Sequence, residues 1–156
     1  MAKLKIVKIG DETLRKVCRP VDKITPRITT LIDDMVETMR RANGVGLAAP
    51  QVGVLRRIVV IEAEPGKVIE LINPVITHTS GSRECVEGCL SVPGKYGLTE
   101  RPEEVDVRAL DRFGNEVEYH GTELLAQAFC HEIDHLDGKL YVDIVKRMLE
   151  DDEIED

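Results

Sequence analysis

Across residues 26–42 the apolar positions recur at Ile28, Leu31, Ile32, Met35, Val36 and Met39. That i, i+3, i+4, i+7 spacing predicts one buried helix face. Thr25 stands where an N-cap belongs, Pro26 suits the first helical position, and Asn43-Gly44 is a common helix stop. The period then shortens. Residues 57–61 and 68–77 are rich in β-branched side chains, the second run being interrupted at Asn73-Pro74. Val105, Val107 and Ala109 alternate with polar residues, as do Val117 and Tyr119. Phe113-Gly114-Asn115 between those runs reads as a hairpin turn. A second helix is expected from near Thr122, with Thr122 as its cap and Glu123 favouring its positive end, to a stop at Gly138. A third, short helix is expected over 142–149. Strands bracketed by separate helices predict an α+β fold.

Composition agrees with one domain over 1–156, its last stretch, 143–156, an acidic C-terminal helix or tail. Apolar residues make up 42% and charged residues 32%, the balance of a globular chain. Aromatics are only 3%, with no Trp, so the core must be aliphatic. No apolar run approaches the roughly 18 residues of a membrane span. MAKLKIVKIGDE is neither a secretory signal nor a transit peptide, so a cytoplasmic location is expected. The net charge of −8 argues against DNA or general nucleic-acid binding. Residues 143–156 hold seven acids against Lys146 and Arg147, the pattern of a solvated end. The cysteines, 18, 85, 89 and 130, form no C-x-x-C pair, and no disulfide framework is expected in a reducing compartment.

The candidate chemistry begins at His131-Glu132-Ile133-Asp134-His135. Four residues are slightly more than one helical turn, so both imidazoles share a face and can bind one metal ion. Glu132 lies near enough to handle a water without being a ligand. Leu124 and Ala128 precede His131 on the same stripe, and apolar burial of two imidazoles and an acid is costly unless something pairs them. Two imidazoles leave a hydrolytic site one protein ligand short. No His follows His135, so the third ligand is sought upstream. Cys85 and Cys89 are both available there, around the flexible Gly88, and spacing does not choose between them. Residues 44–51 match a loose G-x-G-x-x-A dinucleotide pattern, but a helix precedes them and Pro50 would break a following one. A bare backbone edge for a peptide, with Gln51 as a polar end group, is the better reading. His78 and His120 read as surface residues.

Together G-V-G-L-A-A-P-Q (44–51), E-G-C-L-S (87–91) and H-E-I-D-H (131–135) resemble, in order, the three motifs of the peptide deformylase family. These enzymes remove the formyl group from the N-terminal methionine of new bacterial proteins. The resemblance implies antiparallel or mixed sheets packed around a central helix carrying H-E-x-x-H, with an N-terminal helix and a short C-terminal one. It implies Cys89, His131 and His135 as metal ligands, and returns Cys85 to packing. It implies Glu132 as general acid and base, with Gln51 and the Leu90 N–H as oxyanion donors. Val45, Gly46 and Gly88 are implied to contact the peptide, and Leu124 and Ala128 lie on the right face to line a methionine slot. The implied ion is Fe²⁺, replaceable by Zn²⁺, Ni²⁺ or Co²⁺. The implied partners are N-formyl-methionine peptides and nascent chains. Some family members dock on the ribosome through a basic C-terminal helix, which the acidic end here opposes. The competing expectations are an H-E-x-x-H peptidase cutting internal bonds and a non-catalytic metal-stabilised module with Cys85 as fourth ligand.

Overall fold

The computed structural model describes residues 4–154; the last two residues of the acidic end, Glu155 and Asp156, lie outside them. Helix α1 (Pro26–Arg41) leads to strand β1 (Gly46–Ala48), a 3₁₀ turn (Ala49–Val52), and β2 (Ile58–Glu64). β3 (Lys67–Ser80), β4 (Arg83–Cys89), β5 (Val92–Arg101), β6 (Glu104–Leu110) and β7 (Glu116–Thr122) follow. Helix α2 (Glu123–Leu136), a 3₁₀ turn (Tyr141–Asp143), β8 (Arg147–Met148) and a 3₁₀ turn (Asp151–Glu153) close the chain. One sheet has the order β1-β2-β3-β6-β7 and the other β4-β5-β8, and the strand pairs are antiparallel. The fold is α+β.

β2 shows why one stretch of the sequence is apolar without alternation. Val59 and Ile61 face α2, packing with Phe129, Ile133 and Leu136, while Ile58 and Val60 face α1 beside Met35 and Met39. All four β2 side chains are fully buried. A strand covered on both faces reads as a continuous apolar run, and each such side chain contributes roughly 1.5–3 kcal/mol of burial. The five-stranded sheet is thus clasped between the two helices, and this fixes where α2 presents its other face.

Three local readings change. Asn73-Pro74 does not end β3; the register shifts between Ile72 and Val75, and Asn73 takes a φ of 53°. Its side-chain amide accepts from the Val21 N–H and donates to the Val21 carbonyl, so the bulge is pinned by the chain crossing it. Thr25 and Thr122 occupy N-cap positions with extended backbone, but neither side chain makes a capping hydrogen bond. The short C-terminal helix expected over 142–149 is absent. That stretch holds the Tyr141–Asp143 turn and β8, whose partners are Leu98 and Gly97 of β5. Its β-branched residues disfavour so short a helix, whereas β5 offers a strand edge. The Lys146 N–H donates to the Leu98 carbonyl at 2.7 Å and the Leu149 N–H to that of Tyr96 at 2.8 Å. Gly97 allows this approach, for a Cβ there would meet Val145 at 2.6 Å. The expected hairpin forms, with Asp111 Oδ1 accepting from the Phe113 and Asn115 N–H groups.

Candidate metal centre and cleft

α2 buries its last two turns with three polar side chains on them: His131, Glu132 and His135 are 7%, 4% and 1% exposed. The two imidazoles share one helix face, ring centroids 5.0 Å apart. β4 ends opposite them, bringing Cys89 Sγ to 3.4 Å from His135 Nε2. The donor atoms of Cys89, His131 and His135 lie within 4.8 Å of one another. A tetrahedral centre with ordinary metal–sulfur and metal–nitrogen lengths has an S···N edge of roughly 3.6 Å, so the trio fits a single ion. Cys85 is not in this group; it is buried in β4, its thiol donating to the Arg83 carbonyl. That removes the proposed fourth ligand of a closed structural site.

One outer partner orients His131. Its Nδ1 meets Glu87 Oε1 at 2.7 Å, which leaves Nε2 for the cluster. The Glu87 carboxylate is itself almost wholly buried. It accepts from Thr99 Oγ1 and from two nitrogens of Arg101. Burial is the largest single influence on Glu87 and raises its pKa. The hydrogen bonds and positive charges of His131 and Arg101 outweigh it and hold the group at about 2. Glu132, by contrast, is pushed up to about 7 by burial. Its Oε2 stands 4.0 Å from His131 Nε2, and its Oε1 is buried without a hydrogen-bond partner. Such an orphan is costly, about 1–3 kcal/mol, unless a ligand or water meets it. Tyr141 stacks on the His131 ring at a centroid distance of 6.1 Å.

The cluster opens into a cleft of about 450 Å³. β1 forms one wall, the β4–β5 hairpin the other, and α2 the floor. Of the eleven residues expected to form the site, ten line it; His135 does not, its Nε2 lying 3.4 Å from Cys89 Sγ. The Gln51 carboxamide is 1% exposed. Its Oε1 accepts from the Ala48 N–H at 2.9 Å, which turns Nε2 toward Ser91 Oγ (3.1 Å) and Cys89 Sγ (3.5 Å). Gly46 is required by contact: a Cβ there would lie 2.5 Å from Glu132 Oε2. Gly44 makes room in the same way for the Leu90 side chain, and Gly88 for the ring of Tyr96. β1 pairs with β2 along one edge only, so its other edge borders the cleft. Leu124 and Ala128 contribute the apolar floor beyond the histidines.

Sequence reading missed Glu87 as a partner of His131, and also Arg101, Thr99 and Tyr141. Glu87 had a signal, an acid inside a motif and between two thiols, Cys85 and Cys89. Arg101 and Tyr141 had none, since Arg101 is brought near by strand pairing and Tyr141 by the 3₁₀ turn after α2. His120 sits on β7, far along the larger sheet, ion-paired with Asp106 and Glu104.

The sequence model of the polypeptide deformylase family matches residues 3–150. The chain is 58% identical over 146 residues to a peptide deformylase of Acetivibrio thermocellus, covering 94% of this chain and 85% of that one. It is 56% identical over 155 residues to one of Caldicellulosiruptor bescii, covering 99% and 93%. The fold matches a crystal structure of a peptide deformylase from Legionella pneumophila with a TM-score of 0.90 at 48% identity, over 93% of this chain and 87% of that one. A structure of the Synechococcus elongatus enzyme in complex with actinonin matches with a TM-score of 0.90 at 41% identity, over 94% and 83%.

Proposed function

The chain belongs to the polypeptide deformylase family, and from that premise we propose how its own residues carry out the reaction. The enzyme is a hydrolase that removes the N-formyl group from the N-terminal formyl-methionine of newly made polypeptides, releasing formate. The observation that carries the assignment of roles is the trio Cys89, His131 and His135, closed to within 4.8 Å at the floor of a peptide-sized cleft beside a buried carboxyl.

Cys89 Sγ and the Nε2 atoms of His131 and His135 would hold one divalent ion, Fe²⁺ in the cell, with Zn²⁺, Ni²⁺ or Co²⁺ as replacements. Bound there, the ion supplies Lewis-acid chemistry, polarising a carbonyl and lowering the pKa of water. Glu132 takes a proton from the attacking water as its oxygen joins the formyl carbon. Gln51 Nε2 and the Leu90 N–H donate to the carbonyl oxygen as negative charge grows on it. Glu132 then hands its proton to the departing nitrogen, the C–N bond breaks, and formate and a free amine leave. The peptide lies extended as an added strand against β1, with Val45, Gly46 and Gly88 close to its backbone. Main-chain pairing of this kind carries little sequence preference, and it suits an enzyme meeting many different chains. The methionine side chain occupies the apolar floor at Leu124 and Ala128.

We assign this work to the cytoplasm. No described helix is long and apolar enough to cross a membrane. Ribosome association through the C-terminal stretch is disfavoured. Lys146 lies between Glu84 and Glu100, and Arg147 pairs with Glu153, so the positive charge of this stretch is offset by neighbouring acids. Formate release from formyl-Met-Ala by anaerobically purified protein tests the reading, with acetyl-Met-Ala alongside. The expected result is one formate per free amine from the first peptide and nothing comparable from the second. Cleavage of the Met-Ala bond, or no release at all, would overturn it.

A further inference from the structure

We propose that Arg101 is a positioning residue that ties the thiol-bearing strand to the imidazole-bearing helix and so sets the spacing of the donor atoms. The inference rests on the reading of Cys89, His131 and His135 as a metal site and extends it to the residue that assembles them.

Arg101 ends β5, and its side chain is only 6% exposed. All three of its guanidinium nitrogens donate to carboxylates, which come from two different elements. Nε donates to Glu87 Oε2 at 3.0 Å and Nη2 to Glu87 Oε1 at 2.6 Å. Nη1 donates to Asp134 Oδ2 at 2.9 Å. Glu87 lies two residues before Cys89 on β4. Asp134 immediately precedes His135 on α2. The same Glu87 Oε1 meets His131 Nδ1 at 2.7 Å. One planar group is therefore linked, through Glu87 and Asp134, to all three donor residues.

The topology explains why such a crosspiece is needed. β4 and α2 belong to different layers: β4 sits in the three-stranded sheet, whereas α2 packs on the five-stranded one. Besides the direct Glu87–His131 hydrogen bond, β4 and α2 are joined by Gln127 Nε2 to the Val86 carbonyl at 3.0 Å, which lies a turn before His131 and is uncharged, and Asp134 is tied in through Arg101. Arginine suits the task because its rigid fork holds two carboxylates in fixed directions, whereas a lysine ammonium is a mobile point charge. A donor set fixed in advance loses less freedom when an ion enters, and outer partners of ligands commonly change metal affinity 10–100-fold.

The test uses Zn²⁺ transfer from the loaded, full-length protein to an excess of a chromogenic chelator. Arg101→Lys and Asp134→Asn are compared with wild type, and Met39→Ala, which weakens the distant α1 face, serves as the control for general loss of stability. Asp134 is partly exposed, so its amide replacement is compatible with folding. Arg101→Lys and Asp134→Asn are expected to release Zn²⁺ about 10–100-fold faster, and Met39→Ala at the wild-type rate. Wild-type release rates in both variants would overturn the proposal. So would acceleration in only one of them, because the clamp needs both arms, or an equal acceleration in Met39→Ala. A wild-type chain that takes up no Zn²⁺ would instead bring down the metal reading itself.

Discussion

α1 and α2 press on opposite faces of one sheet, yet they bury different chemistry. α1 hides Ile32, Met35, Val36 and Met39, and its one buried polar residue, Thr38, is satisfied by the Leu4 N–H at 2.9 Å. α2 begins in the same style with Ala126 and Phe129, then buries two imidazoles and a carboxyl within its last six residues. The difference teaches that helix-on-sheet packing supplies a rigid platform whichever side chains it carries. What separates scaffold from centre is whether the buried polar atoms find all their partners inside the protein. On α1 the buried polar group does. On α2, Glu132 Oε1 and His135 Nδ1 do not.

The sharpest way to break that contrast is Glu132→Ala. General acid–base groups contribute typically about 10²–10⁴ in rate, so formate release should fall by that factor while metal content, read by elemental analysis, stays near one ion per chain. Near-normal turnover would reduce Glu132 to a buried oddity and dissolve the distinction between the helices. Met39→Ala on α1 should do the reverse. It costs about 2–5 kcal/mol of stability in urea titrations, with formate release per folded molecule unchanged. Next in size, Leu124→Arg should raise KM for formyl-Met peptides by about tenfold to a hundredfold, the effect of roughly 1–3 kcal/mol in an apolar slot, and leave metal content alone. An unaltered KM would put the slot elsewhere on the floor. The smallest effect belongs to His120, an exposed imidazole on the sheet's far edge. Its hydrogen bond to Asp106, with the charges of Asp106 and Glu104, raises its pKa above the usual 6.5. The stabilising pair is therefore intact below the unfolded-state value and is lost as pH climbs through the higher folded-state value. NMR titration of the ring should show a midpoint above 6.5, and Asp106→Asn should bring it back down.

What the sequence disclosed depended on distance along the chain. H-E-I-D-H was legible because a helix repeats every few residues, so five letters contain the geometry. The apolar face of α1 was legible for the same reason. Choosing Cys89 over Cys85 was not a matter of spacing. It depends on where β4 stops relative to α2, and only the motif resemblance supplied that choice in advance. Arg101 was invisible because its two carboxylates are 14 and 33 residues away in the chain. The C-terminal stretch was misread for a related reason. Its helical appearance was local, while its actual partner is the edge of β5, some fifty residues earlier. Asn73-Pro74 looked like a strand end because the contact that holds the bulge comes from Val21.

The stitching of β8 onto β5 also has a consequence in time. Synthesis runs from the N-terminus, and both α2 and the strand that braces Tyr96 from behind are among the late arrivals. Until the ribosome has added Asp134 and His135, Arg101 lacks one carboxylate and the donor trio one imidazole, and until it has passed residue 148, β5 lacks its second neighbouring strand.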